Sequence, residues 1–259
     1  MVIRKVNTLL KIFGINFSRL YRTIVGTPKF ITDVIKFDFL KSKRLGFPLK
    51  YWRPIFGEHL MSSGEAKGHY FYMDHIVSGW IHDTAAASHL DVGSRIDGFV
   101  SSICVFKNVK YIDIRPNNIQ LNNFELIVGD IMETDFVKKL GKYESVSCLH
   151  TLEHFGLGRY GDRLDPNGYE IGLCNIVSLV KKGGLLYLAV PMGNQRLEYN
   201  AHRIFYSDTI PNILTGFKLV DFAYVDDAGY PNYPNISEIK KQNYFNQRHG
   251  CAIYKFKRD

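Results

Sequence analysis

Acidic residues are almost missing from the first 44 positions. Asp33 and Asp38 stand against ten cations: Arg4, Lys5, Lys11, Arg19, Arg22, Lys29, Lys36, Lys41, Lys43 and Arg44. The excess of eight equals the net charge of the whole 259-residue chain, +8, so residues 45–259 are formally neutral. A nucleic-acid enzyme is more often basic around its working surface as well, so no nucleic-acid partner is expected. Paired cysteines are missing too. Cys104, Cys148, Cys174 and Cys251 are scattered through apolar segments without C-x-x-C spacing, which argues against a disulfide framework or a cysteine zinc site and suits a reducing cytoplasm. No apolar run approaches the ~18–20 residues of a membrane span. MVIRKVNTLLKIFGINFSRL has neither the uninterrupted apolar segment nor the small-residue cleavage site of a secretion signal. No internal repeat is visible.

The N-terminal segment is instead basic, amphipathic and aromatic. Ile3, Leu9, Leu10, Ile12, Phe13, Phe17, Leu20 and Tyr21 fall among cations at roughly helical spacing. Two readings stay open: a helical extension packed on the main domain, or a helix lying on an anionic membrane face. The boundary is placed near Gly68, giving a basic extension over 1–67 and an α/β domain over 68–259. In the latter, HYFYMDHIVSGWIHD (69–83) reads as a helix. Strands are expected at 89–93, 109–114, 124–130, 144–150, 185–191, 217–227 and 251–257. Helices are expected near 97–107, 135–140 and 169–183, with 202–214 helical in part. This alternation specifies a doubly wound α/β sheet. The last two strands lack a helical crossover, so they are expected to pair antiparallel. The resulting order is 3-2-1-4-5-7-6.

The densest polar chemistry lies in CLHTLEHFGLGRYGD (148–162). Its HTLEH core matches an H-x-x-E-H zinc-protease pattern, but that pattern needs a continuous helix. Here a strand-like ESVSCL precedes it and Gly156 and Gly158 follow. His150, Glu153 and His154 therefore belong to a strand's carboxyl end, where open α/β sheets bind ligands.

LDVGSRIDGF, YIDIRP, VGD (128–130), SCLHTLEHF, VKKGGLLYLAVP and HRIFYSDTIPNILTGFKLVDF follow one another in an order that resembles the class I S-adenosylmethionine (AdoMet)-dependent methyltransferases over residues 89–259. The resemblance implies a Rossmann-like seven-stranded sheet with an antiparallel last strand, and AdoMet as cofactor. It implies a cofactor loop built from Asp91, Gly93, Ser94 and Gly98, ribose hydroxyls on Asp113, and the adenine amino group near Asp130. The loop departs from the usual D-x-G-x-G-x-G pattern, because Arg95 stands where glycine makes room for the cofactor. Either the loop swings away or Arg95 meets something anionic. GHYFYMD, DVGSRIDGFV, YIDIRP, CLHTLEHFGLGRYGD and NAHRIF together also resemble a bacterial family of this fold whose genes lie among those for O-antigen and other surface polysaccharides. That likeness implies sugar tailoring.

A sugar hydroxyl is a poor nucleophile, so methyl transfer to it benefits from a base, and histidine suits neutral pH. His150, His154 and His202 are the candidates, with Glu153 as orienting group or base. Arg159, Tyr160 and Asp162, together with Asn200 and Arg203, form the expected substrate surface, because arginines near a pocket suit a diphosphate such as a nucleotide- or lipid-linked sugar. His69, Tyr72 and Asp74, on the helix before the first strand, are expected to cap it, and Arg95 is expected to contact the substrate. No metal ligand is assigned, although a divalent ion on some of His150, Glu153, His154 and Asp162 stays open. The leading expectation is a cytoplasmic AdoMet-dependent O-methyltransferase acting on a surface-polysaccharide sugar, held peripherally at the inner membrane by residues 1–44. A same-fold sugar isomerase or lyase, and a non-catalytic scaffold for glycan assembly, are the alternatives.

Overall fold

A computed structural model describes residues 17–40, 53–56, 64, 66–239 and 241–259. The chain divides into two compact units, Met1–Glu65 and Ala66–Asp259. In the first, α1 (Phe17–Leu40) is a 24-residue helix containing Pro28. The amphipathic reading of residues 1–16, and the cations at 41–44, lie outside the described residues.

The second unit is built on one sheet. Its strands are β1 (Ser88–Val92), β2 (Asn108–Asp113), β3 (Phe124–Val128), β4 (Tyr143–Leu149), β5 (Val180–Met192), β8 (Phe217–Val225), β9 (Pro231–Asn232) and β10 (Gly250–Arg258). β6 (Arg196–Glu198) and β7 (His202–Ile204) form a separate antiparallel hairpin. The spatial order is β3-β2-β1-β4-β5-β10-β8-β9. The first five strands are parallel, and β10 runs antiparallel between β5 and β8. This is the expected 3-2-1-4-5-7-6 order, with the two-residue β9 added as an eighth strand at the edge.

Strand side chains alternate between faces, and here both faces are covered. Leu186, Leu188 and Val190 of β5, with Ala252, Tyr254 and Phe256 of β10, join one core beside Leu173 and Ile176. Those two residues lie on the helix α3 (Gly168–Ser178). Tyr187, Ala189, Cys251 and Ile253 point the other way, into a second core with Met73, Ile76, Val77 and Ile81. The latter four form the buried stripe of α2 (His69–His82). Two-sided burial explains why LLYLAVP is continuously apolar.

Several expected boundaries move. The helix expected over 169–183 ends at Ser178, because Val180 already pairs with Tyr143 across β4 and β5. The stretch 202–214 divides into β7 and a five-residue helix, Thr209–Ile213. Near 97–107, a π-helical turn over Ile96–Val100 runs into a short α-helix, Ser101–Ile103. Among the cysteines, Cys174 is exposed while the other three are buried.

Candidate active site

The parallel strands end at one edge of the sheet, and their carboxyl-end loops define a cleft of about 920 Å³ with a smaller inner pocket of about 90 Å³. β1 delivers Gly93, β2 delivers Asp113, β3 delivers Asp130 and β4 delivers His150. Because β10 is antiparallel to β5, Gly250 pairs with Met192 at the carboxyl end of β5. His249 is thereby placed at the same edge. α2 precedes β1 and brings His69, its first residue, to the cleft.

Gly93 has φ +69°. A Cβ there would lie 2.5 Å from Thr151 Cγ2, and Thr151 Oγ1 donates to the Gly93 carbonyl at 2.8 Å. Glycine thus permits both the turn and the close passage of the β4 loop. Asp91 departs from its expected role. It is fully buried and accepts bonds from the backbone N–H and the Oγ of Ser94 and from Ser147 Oγ. Its carboxylate braces the loop from beneath and does not line the cleft. Burial, opposed by these bonds, raises its pKa to about 6. Gly98 does not line the cleft either. A side chain there would collide with Asp74 and Arg95, so its role is to leave room for that ion pair.

Arg95 lines the cleft, with its guanidinium turned toward α2. Its guanidinium lies 3.4 Å from Asp74 Oδ2 and 3.0 Å from Asp97 Oδ1, with Cζ 4.6 Å from the Tyr70 ring centre. Asp74 is buried behind it, its pKa raised by burial to about 7. Tyr72 packs against the second core instead of the cleft. Of the α2 candidates, His69 alone lines it.

Asp113 does line the cleft, and both its oxygens are engaged. Arg115 donates from Nε to Oδ1 and from Nη2 to Oδ2, each at 3.0 Å, and Tyr111 donates to Oδ2 at 2.9 Å. Burial works against its charge, but these bonds prevail and hold its pKa below the usual carboxylate value. Arg115 was not expected from the sequence. Its guanidinium lies 4.6 Å from the Tyr160 ring centre. Asp130 lines the inner pocket and accepts the Met132 N–H.

HTLEH is no helix of protease type: Leu152–His154 form a single 3₁₀ turn. His150 has φ +53°, and its Nδ1 is 2.8 Å from Glu153 Oε1. The two side chains are 6% and 2% exposed, which makes this a buried ion pair. Burial opposes both charges. The Cys251 sulfur and the Glu153 carboxylate nevertheless raise the His150 pKa well above its ordinary value, and His150 lowers that of Glu153. His154 Nδ1 donates to the Ala201 carbonyl at 2.7 Å. That bond fixes the tautomer and leaves Nε2 with a lone pair. Burial, aided by Arg159 and opposed by Glu153, lowers the His154 pKa, so the ring is neutral near pH 7.

Five of the nine histidines gather here. The His150, His69 and His249 rings stack in sequence, with centres 5.7 and 5.4 Å apart and planes within 8°. His202 Nε2 lies 3.3 Å from His249 Nε2 and 3.4 Å from Glu198 Oε2. Burial and its histidine neighbours push His69 down to about 4. Burial and His249 lower His202. His150, Glu153, His154 and His202 therefore share one cleft. His249 is the member that the sequence reading missed, and its signal was its position just before the antiparallel last strand.

The expected diphosphate surface is only partly present. Arg159 and Tyr160 line the cleft, although Arg159 Nη1 also donates to the Ala201 carbonyl at 2.8 Å. Asp162 lines the inner pocket and accepts the backbone N–H groups of Gly156, Gly158 and Tyr160, which folds the glycine loop. Arg203 is consumed by the Phe155, Glu153 and Pro166 carbonyls and does not line the cleft. Asn200 is exposed in the β6–β7 hairpin and does not line it either.

With this geometry established, the comparisons place the chain. A family model described as "Caenorhabditis protein of unknown function, DUF268" matches residues 100–255, more than half of the chain. The chain belongs to the DUF268 family. No curated protein matches it in sequence. Among solved structures, the DUF268 chain is similar to the [4+2]-cyclase SpnF, with a TM-score of 0.50, 10% identity, 72% of this chain covered and 80% of that one. It is also similar to the N-methyltransferase NodS from Bradyrhizobium japonicum in complex with S-adenosylhomocysteine, with a TM-score of 0.49, 13% identity and coverage of 74% and 88%. A third is coclaurine N-methyltransferase, with a TM-score of 0.49, 14% identity and coverage of 73% and 72%. The sheet is the Rossmann-like sheet of the class I methyltransferases. The family description names an animal genus and carries no link to O-antigen.

Proposed function

We propose that this chain is an AdoMet-dependent O-methyltransferase whose acceptor is a hydroxyl of a sugar carried on a nucleotide or lipid diphosphate, as in surface-polysaccharide assembly. The observation that carries this reading is His154, a neutral ring of fixed tautomer at the carboxyl edge of a methyltransferase-type sheet. The cleft suits the cofactor on two counts: Gly93 presents bare backbone, and Asp113 presents a carboxylate at the end of β2. Gly93, Ser94, Asp113 and Asp130 would hold it, with Arg115 displaced from Asp113. Bound AdoMet supplies an electrophilic methyl group. The chain's own part is to align the acceptor and take its proton, which His154 Nε2 is placed to do. Arg115 and Arg159, both beside Tyr160, give the cleft wall the planar donors that a diphosphate favours. The test is transfer of labelled methyl from AdoMet to a panel of nucleotide sugars and sugar-diphosphate lipids. Label in the sugar of at least one acceptor is expected, and no transfer to any acceptor by protein that binds AdoMet would overturn the acceptor assignment.

A second reading, a same-fold enzyme with isomerase or lyase chemistry, is favoured by one observation: Arg115 closes the carboxylate expected to take the ribose. SpnF, a cyclase by name, shares this fold.

We also propose that the N-terminal unit binds an anionic membrane surface at the cytoplasmic face. No helix among the described residues is long and apolar enough to cross a membrane. On α1, Phe17, Leu20, Tyr21, Ile24, Ile31 and Ile35 are exposed large apolar residues. Their spacing puts them on one stripe of the helix, while Arg19, Arg22, Lys29 and Lys36 fall on another. Each cation near such a surface contributes about 1 kcal/mol. Liposome sedimentation is expected to show binding that needs anionic lipid, weakens with salt and disappears when residues 1–44 are removed. Equal binding by the truncated protein would contradict it.

A further inference from the structure

His69 and His150 line the cleft and Cys251 is buried in the second core, a group of side chains that proton transfer to His154 does not use. Ring nitrogens of His69 and His150 and Sγ of Cys251 all lie within 4.8 Å of one another. We propose that these three residues form a binding site for a divalent transition metal of the zinc class, with its fourth position open to the cleft for water or a substrate oxygen. The inference does not rest on the methyl-transfer reading.

Three observations carry it. The first is the donor set. Two imidazoles and one sulfur are borderline-to-soft ligands that favour tetrahedral zinc over magnesium or calcium. In a tetrahedron with bonds of about 2.0–2.3 Å, ligand atoms lie roughly 3.3–3.8 Å apart, so the group has to close by about 1 Å.

The second is an orphan. His150 Nε2 is buried without a hydrogen-bond partner, in a side chain 6% exposed. A buried polar atom left without a partner calls for an explanation, and a ligand position is one: a metal would take the place of the Nε2 proton, which is released as the metal binds.

The third is how the rings are held. Metal-binding histidines as a rule donate their second ring nitrogen to a carboxylate or carbonyl, which fixes the tautomer and aims the first. His150 Nδ1 is held by Glu153 Oε1 at 2.8 Å. The His69 ring lies between those of His150 and His249, with planes within 8°. Cys251 is fixed as well, by the pairing of β10 with Pro191 and Val225 on its two sides. The three ligands therefore come from a helix terminus, a strand-end turn with positive φ and a central strand, and the fold holds each of them independently.

The test uses the full-length protein, freed of metal by chelation and titrated with Co²⁺, whose thiolate charge-transfer band and visible ligand-field bands report a tetrahedral sulfur-containing site. One Co²⁺ per chain with both bands, displaced by Zn²⁺, is the expected result. Cys251→Ser should abolish the charge-transfer band and weaken binding by on the order of 100-fold. Glu153→Gln should weaken it about 10–100-fold, as loss of an orienting partner does. His75→Ala, on the exposed side of the same helix, should bind as the wild type does. Because Cys251→Ser could perturb the core, X-ray absorption on the zinc-loaded wild type provides a second reading, with one sulfur and nitrogen donors in the first shell expected. Failure to bind Co²⁺ stoichiometrically, binding without a sulfur ligand, or unchanged affinity in folded Cys251→Ser would each overturn the proposal.

Discussion

Replacing Glu153 with alanine in the metal-free protein is expected to destabilise the α/β unit by about 3–5 kcal/mol, read from urea unfolding, because it leaves the buried His150 charge without its partner. Both side chains are almost fully enclosed, so solvent screening does not reduce the effect. The loss should depend on pH in a defined way. Glu153 is depressed in the folded state, so its contribution is present above the unfolded value of 4.5 and fades as pH falls through the folded one. His150 is raised, so its contribution is whole below 6.5 and fades as pH rises through the folded value. The gap between wild type and Glu153→Ala should therefore be widest between about pH 4.5 and 6.5. A gap that does not vary with pH would mean that the pair is not ionised. Glu153→Gln, which keeps an acceptor for Nδ1, should cost less.

His154→Ala is expected to lower kcat by about 10²–10⁴-fold, the usual contribution of a positioned base. Cofactor affinity should barely change, because proton removal belongs to the chemical step alone. The wild-type profile should lose activity on the acid side as His154 protonates, below the usual histidine range because burial lowers its pKa. In the variant that limb should vanish. If His202→Ala removes the limb and His154→Ala does not, the base is His202, which lies beside it with ring centres 6.5 Å apart.

Much of the sheet was legible because its signal is local and repeated. Apolar runs such as LLYLAVP mark strands covered on both sides. The missing crossover between FKLVDFAYV and CAIYKFK dictated an antiparallel end, and this was observed. The position of HTLEH at a strand end followed from Gly156 and Gly158 and was also observed. What could not be read was how polar side chains are spent. Arg203 looks like a diphosphate ligand in sequence, yet loop carbonyls that need donors consume it. Asp91 looks like a cofactor ligand, yet Ser94 in the turn above it takes both its oxygens. Arg115 stands in YIDIRP without an assigned role, and His249 belongs to no motif. They enter the cleft through an ion pair to Asp113 and through the register of β10 against β5. Such pairings depend on tertiary geometry, which leaves no periodic trace in the chain.

The central claim is that the cleft over Gly93 and Asp113 takes AdoMet, and calorimetry on the full-length protein with AdoMet and S-adenosylhomocysteine tests it most directly. Saturable one-to-one binding is expected, weakened in Asp113→Ala by about 1–3 kcal/mol through loss of a charge-assisted hydrogen bond. No heat of binding for either ligand at millimolar concentration would contradict it and leave the fold serving a different chemistry.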